Sequence, residues 1–193
     1  MKKILIVLLA LTCAFAMFSC GKTADVKDFE KAIAATAPTV VEVEMVSDTV
    51  FGALSANFKT TYAEDGSFTI EGSYEQFNKS TEGKAEELKS SVPVNITCDK
   101  DGNYSDGGKF TGSNPNATGS KLSLGRKVKD ATISDDGKVL TATVKAKDTK
   151  SVFGIEYAKD VSLVITQNDG KIVSYTLEYA TDYGYDRIIC SYQ

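Results

Sequence analysis

The residue that would do most of the chemistry in a chain like this one is missing. Its 193 residues contain no histidine. That removes the commonest general base and the commonest metal ligand. No Ser–His or Cys–His pair can form, and the single S-x-x-K runs from Ser19 to Lys22 at the edge of an apolar segment. There is no G-x-S-x-G and no phosphate-binding loop. Glu42 and Glu44 alternate with Val41, Val43 and Met45, so both carboxylates share one strand face. A paired-carboxylate mechanism needs that geometry. Charged residues on the wet face of a half-buried strand are the far commoner cause of such a pattern. Asp99-Lys100-Asp101-Gly102-Asn103 opens like a calcium loop. Continuing that loop requires glycine at 104 and a bidentate glutamate at 110, where Tyr104 and Phe110 stand instead. The segment therefore reads as an acidic turn. The expectation is a non-enzyme with no cofactor and no metal.

The amino terminus says where the protein works. Lys2 and Lys3 precede an uncharged apolar stretch from Ile4 to Phe18, followed by Ser19-Cys20-Gly21. The layout is that of a secretory signal. The stretch is shorter than the ~20 residues a bilayer-spanning helix needs. Phe18-Ser19-Cys20 resembles the lipobox of bacterial lipoproteins. Ser19 fits the pattern, whereas Met17 stands where the family favours leucine and Phe18 is bulkier than usual. The resemblance implies a diacylglyceryl thioether on Cys20 and loss of residues 1–19. It leaves 20–24 as a lipidated tether and 25–193 as one globular domain, outside the cytoplasm. Two or more acyl chains give stable anchoring where one is marginal. Ordinary cleavage after Ala14-Phe15-Ala16 is the competing site, and it would leave Cys20 free.

Composition narrows the partners. The net charge of −4 and the lack of any basic run past the signal argue against nucleic acid. Tryptophan, a frequent sugar platform, is absent. Cys98 and Cys190 remain beyond Cys20. In an exported protein they either form a disulfide or stay as two buried thiols.

The elements that must position any site follow from periodicity. Val26, Phe29 and Ile33, with Asp25 as a cap and Pro38 as a stop, predict one amphipathic helix near 25–36. From Thr39 the period becomes two. Glu64-Asp65-Gly66 turns a hairpin between Phe51 and Asn78. A three-residue loop there pairs Tyr62 with Phe68, Thr60 with Ile70, Phe58 with Gly72 and Ala56 with Tyr74, which gathers the aromatics on one face. Asn168-Asp169-Gly170, read the same way, pairs Ile165 with Val173, Leu163 with Tyr175 and Val161 with Leu177. Asp136-Gly137, read as a two-residue turn, aligns Ile133 with Leu140 and Ala131 with Ala142. Further strands are expected at 92–98, 121–127, 152–158 and 187–192. Ser80–Ser91 reads as polar and non-strand, with a helical turn at 85–89. Asp99–Ser120 reads as a long polar loop with a weak hairpin near Asp101-Gly102.

The fold expected is α+β and mostly β, with an N-terminal helix packed on a curved antiparallel sheet. A β-sandwich or closed barrel is the alternative. In layout the chain resembles the half-barrel lipid carriers related to the lipoprotein-localisation factor. That resemblance implies a concave sheet holding lipid. Its lining would be the hairpin face Leu54, Phe58, Tyr62, Phe68, Ile70 and Tyr74. The tyrosines crowding the end (Tyr175, Tyr179, Tyr183, Tyr185 and Tyr192) read as sheet packing rather than a cavity lining. Two functions stay open. One is an envelope lipoprotein binding an apolar or amphipathic ligand such as lipid. The other is an interaction module that meets an envelope protein or polymer through loop 99–120.

Overall fold

In a computed structural model the described residues are 25–79, 85–101, 103–105 and 122–193. The lipobox and most of the 99–120 loop lie outside them. A helix α1 (Lys27–Ala35) leads into strands β1 (Val40–Thr49), β2 (Gly52–Tyr62), β3 (Phe68–Lys79), β4 (Ala85–Cys98) and β5 (Tyr104–Ser105). Strands β6 (Val128–Ile133) and β7 (Val139–Val144) follow, then a short helix α2 (Thr149–Phe153). The chain ends in β8 (Val161–Asn168), β9 (Lys171–Ala180) and β10 (Gly184–Tyr192). All ten strands form one open sheet in the order β5-β4-β3-β2-β1-β10-β9-β8-β7-β6, and every ladder is antiparallel. The sheet is two meanders joined where β1 pairs with β10. Neither a sandwich nor a closed barrel is seen among the described residues.

The first hairpin has the register its turn predicts. Tyr62 faces Phe68, Thr60 faces Ile70, Phe58 faces Gly72 and Ala56 faces Tyr74. The Ala63 N–H donates to the Ser67 carbonyl and closes a three-residue loop in which Gly66 takes φ +87°. The β8–β9 hairpin differs. Its loop is two residues, Asp169-Gly170, both at positive φ, which is the turn that follows the right-handed strand twist. A bulge between Thr166 and Gln167 then sets Ile165 opposite Tyr175, Leu163 opposite Leu177 and Val161 opposite Tyr179. The bulge turns Val173 out to solvent and Ile172 into the core. In the β6–β7 hairpin Ile133 does face Leu140, but the loop is four residues long, closed from the Ser134 N–H to the Val139 carbonyl. A bulge at Asp130 (φ +51°) interrupts the ladder before Ala131 reaches Ala142.

Three expected elements are replaced. The polar stretch before Ser91 is strand, because β3 extends to Lys79 and pairs with β4 as far as Ala85 through two bulges. Cross-strand pairing there overrides local helix propensity. Of the expected strand at 121–127, the described residues 122–127 are not strand. Leu124 is fully buried, and Gly125 begins a 3-10 turn with its N–H donated to Glu30 Oε1 of α1 at 2.6 Å. Residues 152–158 hold the end of α2 instead of a strand, terminated by Gly154 at φ +77°. The Thr149 hydroxyl fastens that corner. It donates to the Ala146 carbonyl and accepts the Tyr157 N–H at 2.9 Å.

One face of the sheet, called inner below, holds the core. α1 lays Phe29 and Ala32 on the β8–β9 region, and Val152 and Phe153 of α2 join Leu140, Val144, Leu163, Ile165, Tyr175, Leu177 and Ile188. Val43 and Met45 of β1 pack against this cluster, so the inner face continues without a break into the β1–β4 half. The outer face carries polar residues, including the cross-strand line Glu42, Lys59, Glu71.

Cys98 and Cys190 are free buried thiols, not a disulfide. Cys98 is on β4 and Cys190 on β10, with β3, β2 and β1 between them. Four strand spacings of ~4.8 Å separate them by roughly 19 Å, far beyond the ~7 Å limit between bridged Cα atoms.

Candidate functional site

The six aromatic and aliphatic residues of the first hairpin share the inner face. Leu54, Phe58 and Tyr62 recur along β2, and Phe68, Ile70 and Tyr74 along β3. Cross-strand contacts order them. The Phe58 and Tyr74 rings meet edge-on at 4.8 Å between centroids, and Tyr62 and Phe68 lie 5.7 Å apart. Tyr104 of β5 adds a third ring, 6.0 Å from Phe68. Gly72 makes room for this arrangement. A Cβ there would overlap the Asn57 carbonyl and crowd the Phe58 ring, so the aromatic covers a glycine across the ladder.

Coverage of the face is graded. Near the start of β1, Thr60, Ile70, Ile96 and Cys98 are buried. Toward the far end of the same strands the face opens, and Tyr74 and Val92 are 42% and 54% exposed.

At the covered end lies a pocket of about 250 Å³ between α1 and the sheet. Ile33, Thr36 and Pro38 form its helix side; Val41, Tyr62, Ile172 and Tyr192 form its sheet side, with Leu122 between. No charged residue lines it. Burial pushes the Tyr62 and Tyr192 phenols above the ordinary tyrosine range, so both stay neutral at physiological pH. The Thr36 hydroxyl is already engaged, donating to the Ala32 carbonyl and accepting the Ile172 N–H at 2.8 Å. The walls therefore suit an uncharged, largely apolar group that asks for few hydrogen bonds. Behind them Tyr175 and Cys190 are buried in the core, and desolvation holds the Cys190 thiol at about 11.

Of the six expected residues only Tyr62 lines this pocket; the other five belong to the aromatic face that leads away from it. Ile33, Thr36, Pro38, Val41, Leu122 and Ile172 were not singled out as site residues, and Tyr192 was read only as sheet packing. They come from α1 and the turn after it, β1, the segment before β6, β9 and β10, and no local spacing joins them.

The paired carboxylates Glu42 and Glu44 are exposed on the outer face, beside Lys59 and Glu71. The acidic turn at 99–103 is used internally. Asp99 Oδ1 accepts the Asp101 and Asn103 N–H groups, and Oδ2 accepts the Asn103 side-chain amide, which braces the β4–β5 hairpin. Among the described residues no three histidine, cysteine or carboxylate side chains converge as a metal site would require, and no helix is long and apolar enough to cross a membrane.

No protein-family model matches the chain, and no curated protein matches it. Among solved structures the chain is similar to the crystal structure of LprF from Mycobacterium bovis, at 16% sequence identity over 86% of this chain and 90% of that one. The TM-score is 0.43, a likeness too loose to bear on what this chain does.

Proposed function

We propose that this protein is a non-catalytic, extracytoplasmic lipoprotein, anchored through Cys20, that binds an apolar or singly tailed amphipathic ligand on the inner face of its sheet. The observation that carries the reading is the uncharged pocket between α1 and the sheet, with an aromatic face running out of it. Its volume lies just below the usual small-molecule range of ~300–1,000 Å³, which suits one slender tail better than several. A charged headgroup has no partner among the lining residues and belongs outside, toward the open end of the face. The lack of histidine and the outward-facing carboxylates favour binding over chemistry.

Native mass spectrometry of Gly21–Gln193, after exposure to envelope lipid extract, tests this reading. A discrete added mass, released on denaturation and identified as lipid, is the expected result. Val41→Trp, which fills the pocket from β1, should abolish it. A clean apo mass after saturating exposure would reject the ligand reading in favour of an interaction module.

A further inference from the structure

The β1–β2 turn departs from the chemistry of three other hairpin turns among the described residues. Those turns are Glu64-Asp65-Gly66, Asp135-Asp136-Gly137 and Asp169-Gly170. Each is acidic and carries a glycine at positive φ, as turn chemistry asks. The β1–β2 loop is instead the two residues Val50-Phe51, between the paired Thr49 and Gly52. Neither takes positive φ. Both are turned into solvent, 70% and 78% exposed. Sequences that break a local rule while the surrounding structure holds are expected at functional places.

The turn is not isolated. The Val50 N–H donates to the Tyr183 carbonyl at 2.9 Å, and the Phe51 and Tyr183 rings lie 5.2 Å apart. Tyr183 belongs to the β9–β10 turn and is itself 59% exposed; Tyr185 beside it is also exposed. A threonine staples each turn. The Thr49 hydroxyl donates to the Gly52 carbonyl and accepts the Phe51 N–H, and Thr181 Oγ1 accepts the Tyr183 N–H. Gly184 lets the two turns touch, because a Cβ there would overlap the Asp48 carbonyl. The result is a preformed exposed knob made of Val50, Phe51 and Tyr183, with Tyr185 two residues on in β10.

We infer that this knob docks the protein on a phospholipid bilayer by inserting into its interfacial region. Three observations favour a bilayer over a protein partner. The knob projects, where a protein partner of this chemistry would need a matching cavity. It combines an aliphatic and a phenyl group with phenols at the rim, the mixture that settles at membrane interfaces. The side chains of the knob itself carry no charge. Thr49 to Gly52 carry none, and Asp182 of the second turn is paired with Lys159 at 3.1 Å. The knob stands at the open end of the inner face. Val40–Thr49 carries β1 from the pocket end to the knob, a run of roughly 30 Å at ~3.3 Å per residue. Resting on the ligand reading above, the knob turns the open end of the inner face toward the bilayer from which a lipid would enter, with the exposed Tyr74 and Val92 level with Met45, about 13 Å along β1 from the turn.

The chain lacks tryptophan, so one substitution gives a clean optical probe. Full chain carrying Phe51→Trp is mixed with phosphatidylcholine vesicles, with and without brominated acyl chains. The expected result is a blue-shifted emission that brominated lipid quenches almost completely. Glu64→Trp, on the turn at the opposite end of β2, should remain unquenched in the same vesicles. Adding Tyr183→Asp to the Phe51→Trp chain should return the emission to its solvent position, with the circular dichroism spectrum unchanged. An unquenched probe at 51, or equal quenching at 51 and 64, overturns the inference. The outcome is separable from the ligand reading. A quenched probe with a clean apo mass keeps the knob and rejects the pocket. Lipid mass with a wet probe does the reverse.

Discussion

Cys190 shows what burial does to a single ionisable group in this fold. It lies in the core beside Tyr175, fully removed from water, and desolvation raises the thiol from 9.0 to about 11. Tyr157 behaves alike, raised to about 12 with the same leading cause. In the unfolded chain these groups ionise at their ordinary values, near 9 for the thiol and 10 for the phenol. Their contribution is therefore complete below pH 9 and is lost as pH climbs through 11 and 12, because the unfolded chain releases its protons first. The thiol alone is worth on the order of 2 kcal/mol. Urea midpoints should be level from neutral pH to about pH 8.5 and fall steeply above pH 9.5. Because Cys98 and Cys190 are unbridged, reductant should leave those midpoints unchanged, and a thiol reagent should find both groups only after denaturation.

At the scale of elements, turn chemistry was the most legible part of the sequence. Glu64-Asp65-Gly66 specified the β2–β3 register residue by residue, and with it the aromatic face, because a slip of one would have thrown the rings to opposite sides. Asp169-Gly170 was legible as a turn but not as a register. The choice between a two- and a three-residue loop depends on φ at Asp169 and on a bulge in β8–β9. Neither leaves a mark in the local pattern. The helix at Lys27–Ala35 and the 92–98 part of β4 followed from apolar spacing, whereas α2 and the 85–91 part of β4 did not. Val152-Phe153 is apolar enough for strand, and Ala85–Lys89 is charged enough for helix. In both, a distant contact decided. The pocket was hidden for the same reason, being assembled from five separate stretches of chain. Gly72 offers a test at this scale. Gly72→Val must push a branched side chain against the Asn57 carbonyl and the Phe58 ring. It should lower stability by roughly 1–3 kcal/mol, the usual cost of overpacking, and should also disturb the Phe58–Tyr74 contact in near-ultraviolet circular dichroism.

For the whole molecule, the two halves of the sheet are supported differently. The β6–β10 half carries both helices and the dense cluster around Leu163 and Leu177, while the β1–β4 half is covered only near the start of β1. Phe29 joins the helix to the first of these, so Phe29→Ala should cost about 3–5 kcal/mol in chemical denaturation. Because α1 also forms one wall of the pocket, the same variant should lose the added lipid mass before it unfolds.

The seam between β1 and β10 also sets the order in which this protein can be made. Each meander is built from neighbours in sequence, yet the ladder that unites them joins Thr39 to Gln193, 154 positions apart. Local hairpins form quickly, and long loops close late. A chain that emerges amino end first therefore carries β1 with one flank unpaired until its last strand arrives. During that interval the flank is a template for any other strand, including that of a second newly made copy. Losing even the final ten residues, Gly184–Gln193, would leave that condition permanent, exposing the edges of both β1 and β9. Nonsense or proteolytic trimming at the carboxyl end should thus yield aggregates rather than a smaller soluble sheet.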